Sequence, residues 1–244
     1  MMEKLRRYVV DWSIPFLMIG LLSVWTYQRN SLWNNELELW KDCAKKSPQK
    51  ERIFSHLGFV YHERGQLDEA EKELDKALGL NPRYAPGHYN LGLTFYKKGR
   101  MDNAIDEFKK TLELDPHFSY ALYNLGLSYF RKGLYQNAIE TYKEFLKLDP
   151  YCRNARINLG VAYGGLQQWN KAIEVLEEEL EYFPENFNTH VYLGIVYRET
   201  KDYPKALVHF RKALAHPDLP NAEWVREVIA SIEAAAKKEE RVGN

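Results

Sequence analysis

The chain has 244 residues, of which 45% are hydrophobic and 28% charged, and this composition excludes a disordered or collagen-like polymer. Lysine plus arginine equals aspartate plus glutamate at 34 each, so bulk electrostatics do not favour a nucleic-acid partner. The two cysteines, Cys43 and Cys152, leave the redox compartment open.

The first element in chain order is a long apolar stretch. Lys4, Arg6 and Arg7 precede it, and no formal charge occurs from Trp12 to Gln28. A bilayer crossing needs about 20 mostly apolar residues. We therefore predict a basic flank at residues 1–8 and one transmembrane helix at residues 9–28.

The alternatives for this stretch are a cleaved signal peptide and a buried core helix. A signal peptide ends in small residues at its cleavage site, whereas residues 23–27 are mostly bulky, which favours an uncleaved anchor. Three basic residues precede the span, against Arg29 and Lys41 in the comparable stretch after it. This bias indicates a cytoplasmic N-terminus, with the rest of the chain on the extracytoplasmic side.

A short phrase then recurs every 34 residues: a leucine and a glycine, an aromatic ring three residues after the glycine, and an alanine twelve residues after it. A fixed period of this length is typical of stacked helical hairpins. The period divides the chain into five units at 51–84, 85–118, 119–152, 153–186 and 187–220. The repeated glycines are Gly58, Gly92, Gly126, Gly160 and Gly194.

Each unit is predicted to form two antiparallel helices. In the second unit Gly99 ends the first helix, because a helix C-terminus often needs a residue with positive φ, and Pro116 stops the second helix. Units four and five carry Gln167 and Lys201 in place of that glycine, so we expect their internal turns to be less tight.

The same frame extends beyond the five units. Residues 31–49 fit it as a degenerate half-repeat, with a helix from about Asn35 to Lys46. Residues 221–244 are predicted to form a capping helix with a frayed tail, because a repeat stack needs a polar outer face at its end. Its apolar stripe is predicted to include Trp224, Val228, Ile229 and Ile232.

The pattern resembles the tetratricopeptide repeat over residues 51–218. The resemblance implies an all-α fold, a right-handed α-solenoid of helix-turn-helix units. The predicted transmembrane helix precedes this solenoid, and the predicted capping helix closes it. The repeated glycines, alanines and rings are then packing residues, since the helices approach most closely there.

In proteins that resemble this one, the first helix of each unit lines a concave groove. Asparagine amides can hydrogen-bond a peptide backbone and rigid rings give apolar contact, so the expected ligand is a peptide segment or protein partner. Asparagine before Leu-Gly is also common in repeats with no known ligand. The candidate groove residues are Tyr89, Asn90, Tyr96, Tyr120, Tyr123, Asn124, Phe130, Arg131, Asn158 and Tyr192.

The sequence carries no arrangement typical of catalysis, so we expect no enzyme activity, no cofactor and no metal site. The seven histidines form no His-x-x-x-His or Glu-x-x-His pair. The glutamates at 177–179 are expected on the solvated face of a second helix. Chaperone-binding relatives hold a terminal carboxylate with a polar clamp, and Ser55, Phe59 and Tyr120 stand at those places, which argues against a heat-shock chaperone tail.

The leading functional hypothesis is a membrane-anchored scaffold that binds a partner in its groove and recruits it to a membrane complex. The join at residues 27–33, followed by Trp40 and Pro48, is similar to the repeat-bearing tails of multi-pass membrane glycosyltransferase-like proteins. The alternative is therefore a repeat tail or helper subunit of such an enzyme.

Overall fold

The computed structural model describes residues 35–242, with side chains described for residues 35–234. Within this range the fold is all-α, with twelve helices and no strand. The helices are α1 (Glu36–Lys46), α2 (Glu51–Glu63), α3 (Leu67–Leu80), α4 (Ala85–Lys97), α5 (Met101–Leu114), α6 (Ser119–Arg131), α7 (Tyr135–Leu148), α8 (Arg153–Gly165), α9 (Trp169–Tyr182), α10 (Phe187–Glu199), α11 (Tyr203–Leu214) and α12 (Ala222–Val242).

The predicted basic flank and transmembrane helix, residues 1–8 and 9–28, lie outside the described residues. Among the helices that are described, none has both the length and the apolar character that a bilayer crossing requires. The membrane anchor therefore stays a prediction from the sequence.

The chain divides into two compact units, residues 1–91 and 92–244, with the boundary inside α4. In the first unit α2 packs against both α1 and α3. Leu37 on α1 is buried against Leu57 and Val60 on α2, and the Trp40 ring stacks on His56 with 4.6 Å between centroids. The helix predicted from about Asn35 to Lys46 is thus present at Glu36–Lys46 and belongs to the core of this unit.

In the second unit each helix from α5 to α12 contacts the next one along the chain. The first helices of successive repeats also touch: α6 contacts α8, and α8 contacts α10. Side chains on α6, α8 and α10 are therefore placed to form one continuous surface within this unit.

The repeated glycines are the points where the two helices of one repeat meet. A Cβ atom added at Gly126 would lie 2.7 Å from the Tyr142 ring, and one at Gly194 would lie 2.8 Å from the Phe210 ring. The remaining three glycines face Leu74, Phe108 and Leu176 in the same way, and all five partners are fully buried. The prediction that these residues serve packing is confirmed.

The predicted difference between the internal turns is wrong. Gln167 and Lys201 have φ of 57° and 60°, close to the 75° to 78° of Gly65, Gly99 and Gly133. The hydrogen bonds match as well: the residue after Gln167 donates to the Tyr163 carbonyl, as the residue after Gly133 donates to the Tyr129 carbonyl. The packing of the helices on either side fixes the turn. The backbone of these two residues therefore adopts the left-handed conformation despite its cost in free energy.

The last helix extends over Ala222–Val242, close to the predicted start. Its buried stripe consists of Val225, Val228 and Ile232, whereas Trp224 is 41% exposed. Placing Trp224 in that stripe was wrong by one position. Its ring instead meets Phe210 edge-on at 6.3 Å, so it covers the rim of the last repeat core.

Candidate partner-binding groove

Asparagines of the candidate groove link neighbouring first helices. Asn158 on α8 donates from Nδ2 to the Tyr123 hydroxyl on α6 at 3.1 Å, and Tyr123 in turn packs against Phe145. In the first unit Asn90 on α4 donates to the Ser55 hydroxyl on α2 at 3.1 Å. Asn158 and Asn90 therefore brace the inner helices, besides any contact they offer to a ligand.

Asn124 and Tyr120 lie on the first two turns of α6. The Asn124 amide donates to the Tyr120 carbonyl of its own helix at 2.8 Å. Tyr120 has 69% of its side chain exposed, so its ring presents a large apolar area to solvent. A ring of this kind adds contact area to a partner at low entropic cost.

Arg131, at the end of α6, lies over the Tyr96 ring of α4 with 4.5 Å from Cζ to the ring centroid. A cation at this distance from a ring centroid is within the range of a cation–π interaction. Among the described side chains no carboxylate forms an ion pair with Arg131, and the residue is exposed. Its N–H groups are consequently available to an acidic ligand.

Phe130 and Tyr192 line one cavity of about 310 Å³ in the second unit. Three successive first helices form it: Phe130 comes from α6, Val161 and Gly164 from α8, and Tyr192 from α10. Its surface is mainly apolar. The other residues that line the cavity are Tyr135, Gly160, Gly165, Trp169, Leu176, Ile195, Val196 and Glu199.

The cavity exists because repeat four lacks a side chain at Gly164. Gly164 and Gly165 occupy the positions that hold Phe130 and Arg131 in repeat three and Arg198 and Glu199 in repeat five. A Cβ atom at Gly164 would meet nothing closer than the Trp169 ring at 3.5 Å, an ordinary contact. This cavity was not predicted from the sequence, although the glycine at position 164, where repeats three and five have larger residues, was a visible signal.

Gly165 serves a different purpose from Gly164. A Cβ atom there would lie 2.9 Å from the Tyr135 ring, so its absence lets that ring rest on the backbone of α8. The Tyr135 ring also packs on Phe130, with 5.4 Å between centroids. Tyr135 therefore holds the Phe130 wall of the cavity in place.

The other candidate residues are not in this cavity. Tyr89 and Asn90 lie in the first unit, on the N-terminal part of α4, and both are half-buried. Tyr96, Tyr120, Tyr123, Asn124, Arg131 and Asn158 belong to the second unit, on α4, α6 and α8. Within the second unit, the structure thus separates an apolar cavity from a polar and aromatic surface beside it.

The expectation that all three glutamates at 177–179 are solvated is wrong for Glu179, which is fully buried. Asn186 donates to one of its carboxylate oxygens at 3.3 Å, and the other oxygen has no hydrogen-bond partner. Burial raises the pKa of Glu179 to about 7, and the charge of nearby Arg156 only partly opposes this effect. The equivalent positions hold Ala77, Thr111, Phe145 and Ala213, which is a core position of the repeat.

A second buried polar pair joins α10 to α11. The Nδ1 atoms of His190 and His209 are 3.1 Å apart, so one ring donates and the other accepts. Burial, followed by the charge of the other ring, lowers the pKa of His209 to about 4, and burial lowers that of His190. Among the described residues no cluster of three or more metal-ligating side chains includes them, so their geometry indicates packing of neutral rings.

A TPR repeat model matches residues 58–99 and 94–133, and tetratricopeptide repeat models match residues 119–152 and 157–222. The chain carries tetratricopeptide repeats. Helix-turn-helix repeats of this kind occupy most of the described residues.

Solved structures show the same fold. The crystal structure of YrrB, titled a TPR protein with an unusual peptide-binding site, superposes with a TM-score of 0.66 at 20% identity, covering 78% of this chain and 99% of that one. A crystal structure of MamA gives a TM-score of 0.62 at 27% identity, covering 65% of this chain and 93% of that one. The likeness to YrrB is evidence of fold alone.

Two curated relatives are named as transferases. Protein O-mannosyl-transferase Tmtc1 of Drosophila melanogaster is 34% identical over 74 residues, which is 30% of this chain and 8% of that protein. Protein O-mannosyl-transferase Tmtc2 of the same organism is 30% identical over a stretch of the same length. The matched stretch is thus a small part of each relative, and tetratricopeptide repeat proteins acting as scaffolds are typically non-enzymatic.

Proposed function

We propose that the chain is a membrane-anchored tetratricopeptide repeat scaffold, which binds a peptide segment or protein partner along its first helices and recruits it to a membrane complex. The observation that carries the proposal is the apolar cavity formed jointly by α6, α8 and α10. Concave, mostly apolar sites with a few polar groups nearby are the usual form of a binding site.

The surface beside the cavity supports the same function. Tyr120 is largely exposed, and Arg131 lies over the Tyr96 ring and forms no ion pair with a carboxylate of the described residues. Rigid rings and guanidinium groups dominate the binding energy of many protein interfaces. Tyr123, Asn124 and Asn158 are proposed to contribute polar contacts of the same surface, and Tyr89 and Asn90 are proposed to contribute polar contacts on the first unit.

The membrane part of the proposal rests on residues 9–28, whose apolar run has the length of a bilayer crossing. Protease treatment of sealed vesicles that carry the full-length chain tests it. If the repeats are extracytoplasmic, protease added to the cytoplasmic face should leave them intact. Recovery of the whole chain in the soluble fraction after an alkaline carbonate wash would contradict the anchor.

Photocrosslinking tests the binding surface. A photoreactive residue in place of Tyr120 or Tyr192 is expected to capture a protein in cells, because both positions lie on first helices. The matched control is the same residue in place of Val208, which is 51% exposed on α11, a second helix. Equal yields from all three positions, or adducts with lipid alone, would contradict the proposal.

The second candidate function is a repeat tail or helper of a membrane glycosyltransferase-type enzyme. The observation that favours it is the 34% identity to Tmtc1 over 74 residues. The same crosslinking experiment separates the two: capture of a multi-pass transferase at Tyr120 supports the helper function, and capture of an unrelated partner supports the general scaffold.

A further inference from the structure

The cavity between α6, α8 and α10 is small enough to select its occupant. Its volume of about 310 Å³ suits one bulky side chain rather than a whole peptide. The walls are the rings of Phe130, Tyr135, Trp169 and Tyr192, and the only charged residue that lines it is Glu199 among the described residues.

The charges around the cavity are not balanced. At the α10 side the Glu199 carboxylate is paired with Arg198, with 2.8 Å from Nη2 to Oε1, so this end carries no unmatched charge. At the α6 side Arg131 follows the wall residue Phe130, lies over Tyr96, and forms no ion pair with a described carboxylate. One exposed cation therefore adjoins an otherwise neutral apolar cavity.

This combination defines the complementary ligand. A guanidinium that lies over a ring still has N–H groups to donate to a carboxylate, and arginine–carboxylate pairs are often bidentate. Neighbouring packed helices are about 8–10 Å apart, and an extended chain advances about 3.3 Å per residue. A carboxylate on Arg131 and an apolar side chain in the cavity would then be about three residues apart in one segment.

We infer that the groove recognises an acidic, apolar peptide segment, whose bulky apolar side chain enters the cavity left open by Gly164 and whose carboxylate, about three residues away, pairs with Arg131. The inference rests on the proposed function and specifies its ligand. Gly164 acts as the specificity-determining position, because any larger residue there fills the cavity that the ligand needs.

The substitution Gly164→Leu tests the cavity directly. The position is helical with a negative φ and has open space beyond the Trp169 contact at 3.5 Å, so leucine fits without displacing the backbone. Gly79→Leu is the matched control, because Gly79 is also helical, on α3, with nothing within 4 Å of an added Cβ. Arg131→Gln removes the cation and leaves a shorter, neutral amide side chain.

The experiment selects peptides from a displayed library of random dodecapeptides on the full-length chain, then measures the Kd of labelled winners by fluorescence anisotropy. We expect the selected peptides to share a Leu, Met, Phe or Trp and, about three residues away, an Asp or Glu. Gly164→Leu should weaken binding by more than about tenfold, and Arg131→Gln by about threefold to tenfold with a smaller salt dependence. Gly79→Leu should bind as the parent does.

Thermal melting followed by circular dichroism checks that each variant is folded. Gly164→Ala, which fills less of the cavity, should give a Kd between those of the parent and Gly164→Leu. Winners that bind Gly164→Leu as tightly as the parent would overturn the cavity inference and leave the groove function standing. Winners rich in lysine or arginine would overturn the role of Arg131. If no peptide is enriched but photocrosslinking at Tyr120 captures a protein, the inference falls and the proposed function stands; failure of both experiments overturns both.

Discussion

Repeats three and four share the 34-residue pattern and differ in how completely their side chains fill the space between helices. In repeat three, α6 ends with Phe130 and Arg131, and the core position on α7 holds Phe145. In repeat four, α8 ends with Gly164 and Gly165, and the core position on α9 holds Glu179. Repeat three is therefore a filled packing unit, whereas repeat four exchanges packed volume for a cavity and a buried carboxyl group.

This difference shows that a repeat frame fixes the backbone more strictly than the side chains. Gly126 and Gly160 stand at the same position and each faces the second helix of its own repeat closely. Gly164 has no such contact, although it is a helical glycine four residues further on. The two kinds of glycine should respond to substitution in opposite ways.

The largest effect is expected from Gly126→Leu. Its Cβ would lie 2.7 Å from the Tyr142 ring, so the two helices of repeat three must separate. Overpacking of this kind should lower the free energy of unfolding by about 1–3 kcal/mol. Urea unfolding of the full-length chain measures it, with Gly164→Leu as the comparison.

Gly164→Leu is expected to leave the free energy of unfolding unchanged or to raise it, since leucine is the better helix former and the space is open. An equal loss of stability in both variants would show that the position at Gly164 is packed, and the contrast between the two repeats would disappear.

A smaller effect is expected from Glu179→Gln. Burial raises the pKa of this carboxyl group from 4.5 to about 7, so the folded state holds the proton more tightly than the unfolded state. The carboxyl group therefore lowers the free energy of unfolding as pH rises from about 4.5 to about 7, and the loss is complete above that range. Glutamine should raise the free energy of unfolding by about 1–2 kcal/mol at pH 8 and by little near pH 4.5.

Urea unfolding at several pH values checks this prediction, and Phe145→Leu is the matched control because the same position in repeat three does not titrate. The His209 ring works in the opposite direction. Its pKa is lowered from 6.5 to about 4, so the stability it permits is lost as pH falls through that range. Because both variants retain His209, the difference between them isolates Glu179. A gain for Glu179→Gln that is constant across pH would contradict the titration.

The smallest effect is expected from Gln167→Gly in the turn of repeat four. Gln167 has φ of 57°, whereas repeat three has Gly133 at 76°. Glycine relieves the left-handed strain but frees the unfolded backbone, so the net gain should be at most about 1 kcal/mol. The reciprocal Gly133→Gln should lose a similar amount in the same urea assay. A loss for Gln167→Gly would mean that its side chain stabilises the turn.

Much of the fold follows from the period alone. The 34-residue spacing placed the helix pairs, and the break at Gly99 placed the end of α4 within two residues. Periodicity works here because each repeat contacts its neighbours in the same way, so one local rule holds throughout. The same rule misled us at Gln167 and Lys201, where tertiary packing imposed the turn that the sequence disfavours.

The candidate site was less accessible to sequence reasoning. Phe130 and Tyr192 could be assigned to first-helix positions, but their meeting in one cavity depends on the missing side chain at Gly164, a contact over three helices. Asn158 was predicted to contact a ligand, and the structure adds that its amide donates one hydrogen bond to the Tyr123 hydroxyl. A residue pattern predicts which face of a helix a side chain lies on. It does not predict which neighbouring side chain contacts that residue in the folded protein.

The sequence by itself determined the repeat, its helix boundaries and the glycine contacts, because these depend on spacing that every unit shares. Only the tertiary structure decided at which positions a departure from that shared pattern changes burial or leaves space open. Glu179 is buried and the space beside Gly164 is open because side chains from adjacent helices surround the first and stop short of the second. Whether volume is filled depends on all the neighbours together, and no single helix encodes it.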